Sequence, residues 1–545
     1  MIKVCVIGGG FTAWATSIAL KKNCPSIHLT IVDDPNGAKN IGYGESAPFE
    51  LVTWIQDIFK VPEEQKDDWY KEWVTKTNTT FKFSFYWKNS ADREDLGYYS
   101  SFFPVPDYRV MYNNGHATRN PDWLNPDNNA YRLWDIWYEL YYQGRRKMSD
   151  YGPNINQLHW HTVDKKLPIL GKEFLNETNS THIDSIELYK WFASRYKDDI
   201  DRVISDKVEA VEKYNNGAIK SVITSDGSRI DADFFIDCTG FKRFFANELD
   251  LDWQDMEQEI RHDSAVVVAN GYTSLEDQEE NLYPYTGGYG MDYGWTFSIP
   301  LLNRRSYGYV YDSRYIDADQ ALEELSTLSD PNTRIHSLNL KWTPGWYKEP
   351  WTQNVILIGI ASGFIDAFDA NSIGLQTSQI STLVDFFVKF SENKFIPHGI
   401  RQLYNNVTKE SFESFTERIR LHFGLATRST SPYWLRNQEY ARDTNIKQEF
   451  FDVMNNYKYT PHRKIHNGAY SFTYLDHLQI IPGLIYDLDM RSMLRQSTPE
   501  ELDLAEMYFD NFSAMNKKRS DVAIKLTDWW RDNGIDLSSK LINKQ

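Results

Sequence analysis

Gly8-Gly9-Gly10 follows a short β-branched run, Met1 to Ile7 (MIKVCVI). It precedes Phe11 to Lys21, where apolar residues recur at helical spacing. Gly8-x-Gly10-x-x-Ala13 has the dinucleotide-binding form, with Ala in the third place. The first glycine permits a tight turn, the second lets backbone approach a pyrophosphate, and the small third residue lets helix pack on strand. The helix opening at Phe11, Thr12 and Ala13 then offers N–H groups and a positive dipole end to the phosphates. Asp33 or Asp34 closes the next apolar run, about 20 residues on, where a carboxylate accepts hydrogen bonds from a ribose 2′-OH. A bound dinucleotide is expected. This element alone does not separate FAD from NAD.

Other residues have chemical scope that their spacing leaves open. Lys82 lies in Phe81 to Trp87 (FKFSFYW), which alternation reads as one strand with Lys82, Ser84 and Tyr86 on a common face. On an open face Lys82 is a solvated ammonium. In a buried one its pKa falls and a neutral amine becomes accessible near neutrality. Asp369, ahead of a helix-like segment from about Ile373 to Phe390, suits either acid–base chemistry or a helix cap. Trp295-x-Phe297 by its alternation reads as an aromatic strand in the core. His159-Trp160-His161 has no further ligands at metal spacing, so no metal site is expected.

The elements that must position these residues are legible in outline. Ile27 to Val32 completes a βαβ opening, and Val208 to Phe241 reads as strands joined by turns at Asn215-Asn216-Gly217 and Asp226-Gly227. Asn354 to Ile358 is a further buried strand, and beyond about residue 390 the chain is helix-patterned and aromatic. No repeats or low-complexity linkers interrupt the 545 residues, so the domains are expected to share an interface. A net charge of −17 argues against a polyanionic partner, so nucleic acid is not expected. Cys5, Cys24 and Cys238 have neither metal nor disulfide spacing, and no leader or long apolar run is seen. The expectation is a cytoplasmic protein without a membrane segment.

Several later segments, in order, resemble the flavin-dependent halogenases typified by the tryptophan halogenases. Gly42-Tyr43-Gly44-Glu45-Ser46-Ala47-Pro48 resembles the family's GxGE(S/A)T-x-P loop, one residue shorter. Thr80-Phe81-Lys82 resembles its TFK segment, and His182-Ile183-Asp184 and Asp237-Cys238-Thr239-Gly240-Phe241 match two further landmarks. Gly294 to Pro300 (GWTFSIP) resembles the WxWxIP signature, and Gly363 to Leu375 (GFIDAFDANSIGL) resembles the GFxEPLEST(G/S)IxL segment. Tyr404-Asn405, His422-Phe423 and Pro432-Tyr433-Trp434 follow the family's helical pattern. The resemblance spans roughly residues 1 to 435 and extends to a suspected virus-encoded origin, though no residue names a host.

The resemblance implies an α/β fold: an FAD-binding Rossmann-type box of the hydroxybenzoate-hydroxylase kind, an added β-sheet layer and a mainly helical C-terminal substrate region. The expected division is 1–380, with an insertion at about 90–180, and 381–545. It also implies that reduced FAD, oxygen and halide yield hypohalous acid, which is relayed to Lys82. Asp369, in the place of the family's second glutamate, would accept the proton of the ring intermediate or hold the hypohalous acid. Gly44, Ser46, Ile360 and Ile373 would border the flavin, and Asn371 and Ser372 would bind halide through backbone N–H groups. Trp295, Phe297 and Pro300 would wall flavin from substrate, and Phe102, Phe103 and Trp434 would line an aromatic pocket. The stretch Tyr98 to Pro104 lacks the family's histidine, so tryptophan specificity is not carried over. A separate flavin reductase and a small-molecule substrate are the implied partners, and a homo-oligomer is left open. The alternatives are an aromatic monooxygenase and an inactive flavin-binding protein.

Overall fold

The computed structural model describes residues 1–35, 37, 43–48, 51–88, 98–101, 130–156, 158–167, 180–390, 398–446, 448, 491, 494 and 496–542. Phe102, Phe103 and Gly42 lie outside the described residues.

The N-terminal run forms the strand Lys3–Ile7, at the middle of a six-stranded sheet. The order is Trp351–Thr352, Val355–Leu357, Phe234–Asp237, Lys3–Ile7, His28–Val32, Arg202–Ile204. All neighbours are parallel except the edge pair Trp351–Thr352 and Val355–Leu357. Such strands read as near-continuous apolar runs because helices cover the sheet. Register matters most here. Ile7 pairs with both Val32 and Asp237, so three strands end level and bring Gly8, Asp33 and Cys238 to one edge.

A seven-stranded sheet forms the second layer, in the order Arg334–Lys341, Ser264–Gly271, Arg304–Tyr311, Gly294–Leu301, Tyr285–Met291, Ser84–Lys88, Tyr98–Ser101. A small antiparallel sheet, Glu45–Ser46, Ser180–Ile183 and Thr80–Lys82, packs against the seven-stranded one. The expected single strand from Phe81 to Trp87 is therefore two strands, broken at Phe83, whose N–H donates to the Pro284 carbonyl (2.7 Å). The break moves the chain from one sheet to another, so face alternation does not carry from Lys82 to Ser84 and Tyr86.

The expected boundary at residue 380 falls inside one helix, Asn371–Phe390, which packs on the helix Phe11–Asn23. The C-terminal helix Leu526–Asp532 returns to the first layer, where Trp529 and Trp530 pack on Phe81 at 5.1 and 5.3 Å between ring centroids. Residues after 380 are thus part of the core that holds the lysine strand. Among the described residues no helix is long and apolar enough to cross a membrane.

Candidate active site

At the nucleotide end, Gly8 has φ of +128°, and a Cβ there would meet the Cys238 carbonyl oxygen at 2.5 Å. A Cβ on Gly9 would overlap Asp33 Oδ1, so Asp33, not Asp34, is the acid seated against the turn. A Cβ on Gly10 would meet nothing within 4 Å. Two glycines are thus required by the protein's own packing, while the third leaves open backbone at the first turn of the helix Phe11–Asn23. That is the shape a pyrophosphate needs, and the residues present fit a dinucleotide.

The first turns of two helices meet beside this edge. Thr12 Oγ1 donates to Gln376 Oε1 (2.8 Å), joining the helix from Phe11 to that from Asn371. The turn Gly359–Ala361 packs against the latter helix, and Gly359 N–H donates to Gln379 Oε1 (2.7 Å). Ile360 lies half-exposed on that turn, and Ile373 is buried in the same core as Phe11. Asn371 and Ser372 supply the first N–H groups of their helix.

Lys82 is fully buried. Its Nζ donates to Ser46 Oγ (2.5 Å) and to the Ala47 carbonyl (2.9 Å), and stands 4.0 Å from the Phe85 ring centroid. Gly44, with φ of +95° and close to Leu301 and Ile299, leads the chain into this contact. Burial holds the amine well below the ordinary lysine value, and the Asp369 carboxylate opposes that shift. Asp369 itself is buried at φ of +53°, on the turn Phe368–Ala370 that packs on the strand Glu45–Ser46. Its Oδ2 accepts from Arg418 Nε (3.0 Å) and Nη2 (2.9 Å). The arginine comes from the helix His398–Leu425. A guanidinium at that distance favours the ionised carboxylate.

Four aromatic rings pack together in the core that includes Phe85. Trp295 stands 5.8 Å from Trp87, 5.3 Å from Phe368 and 6.0 Å from Phe297 between ring centroids. Gly288 and Gly308 leave the room, since a Cβ on either would strike the Trp87 or Phe297 ring. Pro300 does not join this row. It has the opposite parity on the strand Gly294–Leu301, and its carbonyl accepts from Thr80 Oγ1 (2.6 Å). Nor does Trp434 line an open pocket: it is fully buried, with Nε1 donating to the Met291 carbonyl (2.8 Å). An indole so packed is a core residue.

The sequence does not reveal Arg418, although it precedes His422 by four residues and so shares its helix face. It also misses the anchor of the Asp369 turn. Asp366 Oδ2 lies 2.5 Å from His262 Nδ1, and His262 Nε2 lies 2.5 Å from the Tyr433 hydroxyl, all three buried. Asp366 Oδ1 accepts from the Phe368 N–H (2.9 Å), which ties the turn to that cluster. Among the described residues no group of three or more His, Cys, Asp or Glu could hold a metal ion.

A glycine turn open to phosphate at the edge of a parallel sheet, in a chain that also buries a lysine amine, defines an α/β protein of the dinucleotide-binding kind. The sequence profile of the tryptophan halogenase family matches residues 3–483, and the chain belongs to that family of flavin-dependent enzymes. Tryptophan 7-halogenase RebH of Lentzea aerocolonigenes is 25% identical over 457 residues, covering 83% of this chain and 81% of its own. Tryptophan 6-halogenase ThaL of Streptomyces albogriseolus is 24% identical over 465 residues, covering 82% and 80%. In fold, the apo structure of VirX1 aligns at a TM-score of 0.79 and 19% identity, over 97% of this chain and 99% of its own. Tryptophan 6-halogenase SttH of Streptomyces toxytricini aligns at 0.78 and 20%, over 98% and 100%.

Proposed function

We propose that the protein forms hypohalous acid from halide with reduced FAD and oxygen, and delivers the halogen through Lys82 to an electron-rich, aromatic small molecule. The observation that carries this is the setting of Lys82: a fully buried amine, held by Ser46 and Ala47, within the field of Asp369.

Oxygen is the oxidant of the halide, and the electrons that activate it would come from reduced FAD, replenished by a separate reductase. Gly8, Gly10 and the helix opening at Phe11, Thr12 and Ala13 hold its pyrophosphate, and Asp33 takes its ribose. Gly44, Ile360 and Ile373 border its ring. Backbone N–H groups of Asn371 and Ser372 hold the halide. Trp295 and Phe297 keep substrate from the flavin.

Lys82 acts on the released acid in one of two balanced ways. As an ammonium it donates a hydrogen bond to the oxygen and polarises the halogen. As a neutral amine it exchanges one N–H for N–halogen and releases water. The Arg418 contact already occupies Asp369 Oδ2, which leaves less of the carboxylate to receive a ring proton. It favours the other role open to that carboxylate, holding the hypohalous acid against the amine.

The test supplies reduced FAD, oxygen and chloride, bromide or iodide to wild type and Lys82→Ala, with a panel of phenols and indoles read by mass spectrometry. The expected result is a halogen mass shift from wild type only, while both consume reduced flavin. Halogenation by Lys82→Ala at the wild-type rate overturns the proposal. Oxygenated products without halogen would make the enzyme an aromatic monooxygenase. Flavin oxidation without halide oxidation would make it an inactive flavin-binding protein.

A further inference from the structure

Behind Lys82 the hydrogen bonds continue into the protein. Thr286 Oγ1 donates to Ser46 Oγ (3.0 Å) and lies 3.0 Å from His182 Nε2. His182 Nδ1 lies 3.1 Å from Thr80 Oγ1, which donates its only proton to the Pro300 carbonyl (2.6 Å). Lys82, Ser46, Thr286, His182 and Thr80 are all buried, and they come from four strands in two sheets. Thr80 cannot donate twice, so Nδ1 must carry a proton. Nε2 is then the position free to gain or lose one.

Two polarities of this chain satisfy every member. With Nε2 bare, Lys82 donates to Ser46, Ser46 to Thr286 and Thr286 to Nε2. With Nε2 protonated, the bonds reverse: Nε2 donates to Thr286, Thr286 to Ser46 and Ser46 to a neutral amine. In the structure Ser46 Oγ accepts from both sides: the Lys82-to-Ser46 direction belongs to the first state and the Thr286-to-Ser46 direction to the second.

We propose that Ser46, Thr286 and His182 form a proton relay in which His182 takes and returns the proton of Lys82. This deepens the proposed function and rests on Lys82 being the halogen-transferring amine. One N–H bond at Lys82 Nζ breaks as one forms at His182 Nε2, and each hydroxyl passes on a proton and receives another. No electron is transferred, and His182 acts through the hydroxyls as a positioning residue. Burial disfavours charge at both ends, so neither holds the proton strongly. The charged groups that reach the pair are Asp369, which favours the ammonium, and the two ends themselves, which repel. The arrangement lets the amine switch between ammonium and free base where bulk water cannot serve it.

The test is single-turnover halogenation of the phenol and indole panel with reduced FAD, oxygen and bromide, in H2O and D2O. Wild type, Lys82→Ala, Thr286→Val, Thr286→Ser and His182→Gln are compared. Thr286→Val, which keeps shape and loses the hydroxyl, is expected to slow halogen transfer at least tenfold and to abolish its multi-proton solvent isotope effect. His182→Gln should do the same, while Thr286→Ser stays within threefold of wild type. Hypohalous acid yield per flavin oxidised, read with a dye, should stay within twofold in all three. Equal losses in Thr286→Val and Thr286→Ser indicate packing and overturn the relay. So does an unchanged rate and isotope effect in Thr286→Val while Lys82→Ala is silent, which leaves the proposed function standing. Full activity in Lys82→Ala overturns both.

Discussion

At the Gly8–Ala13 turn, the groups offered to a ligand are backbone N–H, and their placement needs about thirty consecutive residues, Lys3 to Asp33. Around Lys82 most working groups are side chains, with the Ala47 carbonyl as a backbone partner. The lysine bonds Ser46 and the Ala47 carbonyl, lies in the field of Asp369, and has Thr286, His182 and Arg418 beyond these. The first region tolerates changes of side chain and resists an added Cβ. The second has left-handed backbone at Gly44 and Asp369, and depends on the chemistry of each buried polar group. A pyrophosphate needs several weak donors at fixed spacing, which backbone supplies cheaply. An amine with a shifted pKa needs water excluded, which takes a core.

Removing the guanidinium should have the largest effect on stability. Arg418→Met leaves the buried Asp369 carboxylate without its cation, which costs about 3–5 kcal/mol. Chemical denaturation should read that loss together with a sharp fall in halogenation. A loss below 1 kcal/mol would mean that the lysine region does not depend on its buried charges.

The glycines break the comparison from the other side. Gly8→Ala forces a side chain onto φ of +128° and against the Cys238 carbonyl, at a cost of about 1–3 kcal/mol from the backbone alone. Gly10→Ala should leave the melting temperature of the flavin-free protein unchanged, because among the described residues no atom beyond its chain neighbours lies within 4 Å of the new Cβ. Its FAD affinity, read by flavin fluorescence, should nevertheless fall at least tenfold. Unchanged affinity would place the pyrophosphate elsewhere.

A smaller effect sharpens the comparison through pH. The Lys82 amine is held well below its ordinary value in the fold, while the unfolded chain keeps a value of about 10.4. Between the two the unfolded state binds more protons, so this residue makes stability rise with pH across that window. Lys82→Met should therefore be more stable than wild type at pH 7, with the difference shrinking toward pH 10. A variant that is less stable at pH 7 contradicts a desolvated amine.

The smallest expected effect is on halide choice. Ala370-Asn371-Ser372 replaces the family's Ser-Thr-Gly, yet backbone donors survive side-chain change. Relative rates should shift toward the larger, more polarisable halides. A strict chloride preference would show that those side chains do not matter.

The nucleotide turn and the order of its strands could be read from residue types, because a βαβ unit is local and its glycine requirements are steric. The Lys82 segment could be matched by motif but not oriented. Alternation joined Lys82 to Ser84 and Tyr86, whereas the sheet change at Phe83 separates them. Trp434 and Pro300 show the same limit. An aromatic and a proline say nothing of which face they take, and both are turned inward or aside by packing.

What the chain by itself determined was therefore the glycine turn, the family, and the lysine and aspartate on which the proposed function rests. Tertiary structure alone decided that Lys82 is dry, that Asp369 answers to Arg418, and that two hydroxyls and an imidazole stand behind the amine. The reason is distance along the chain. Sterics and backbone hydrogen bonds act between near neighbours, while desolvation and charge pairing depend on residues hundreds of positions apart, which only folding brings together.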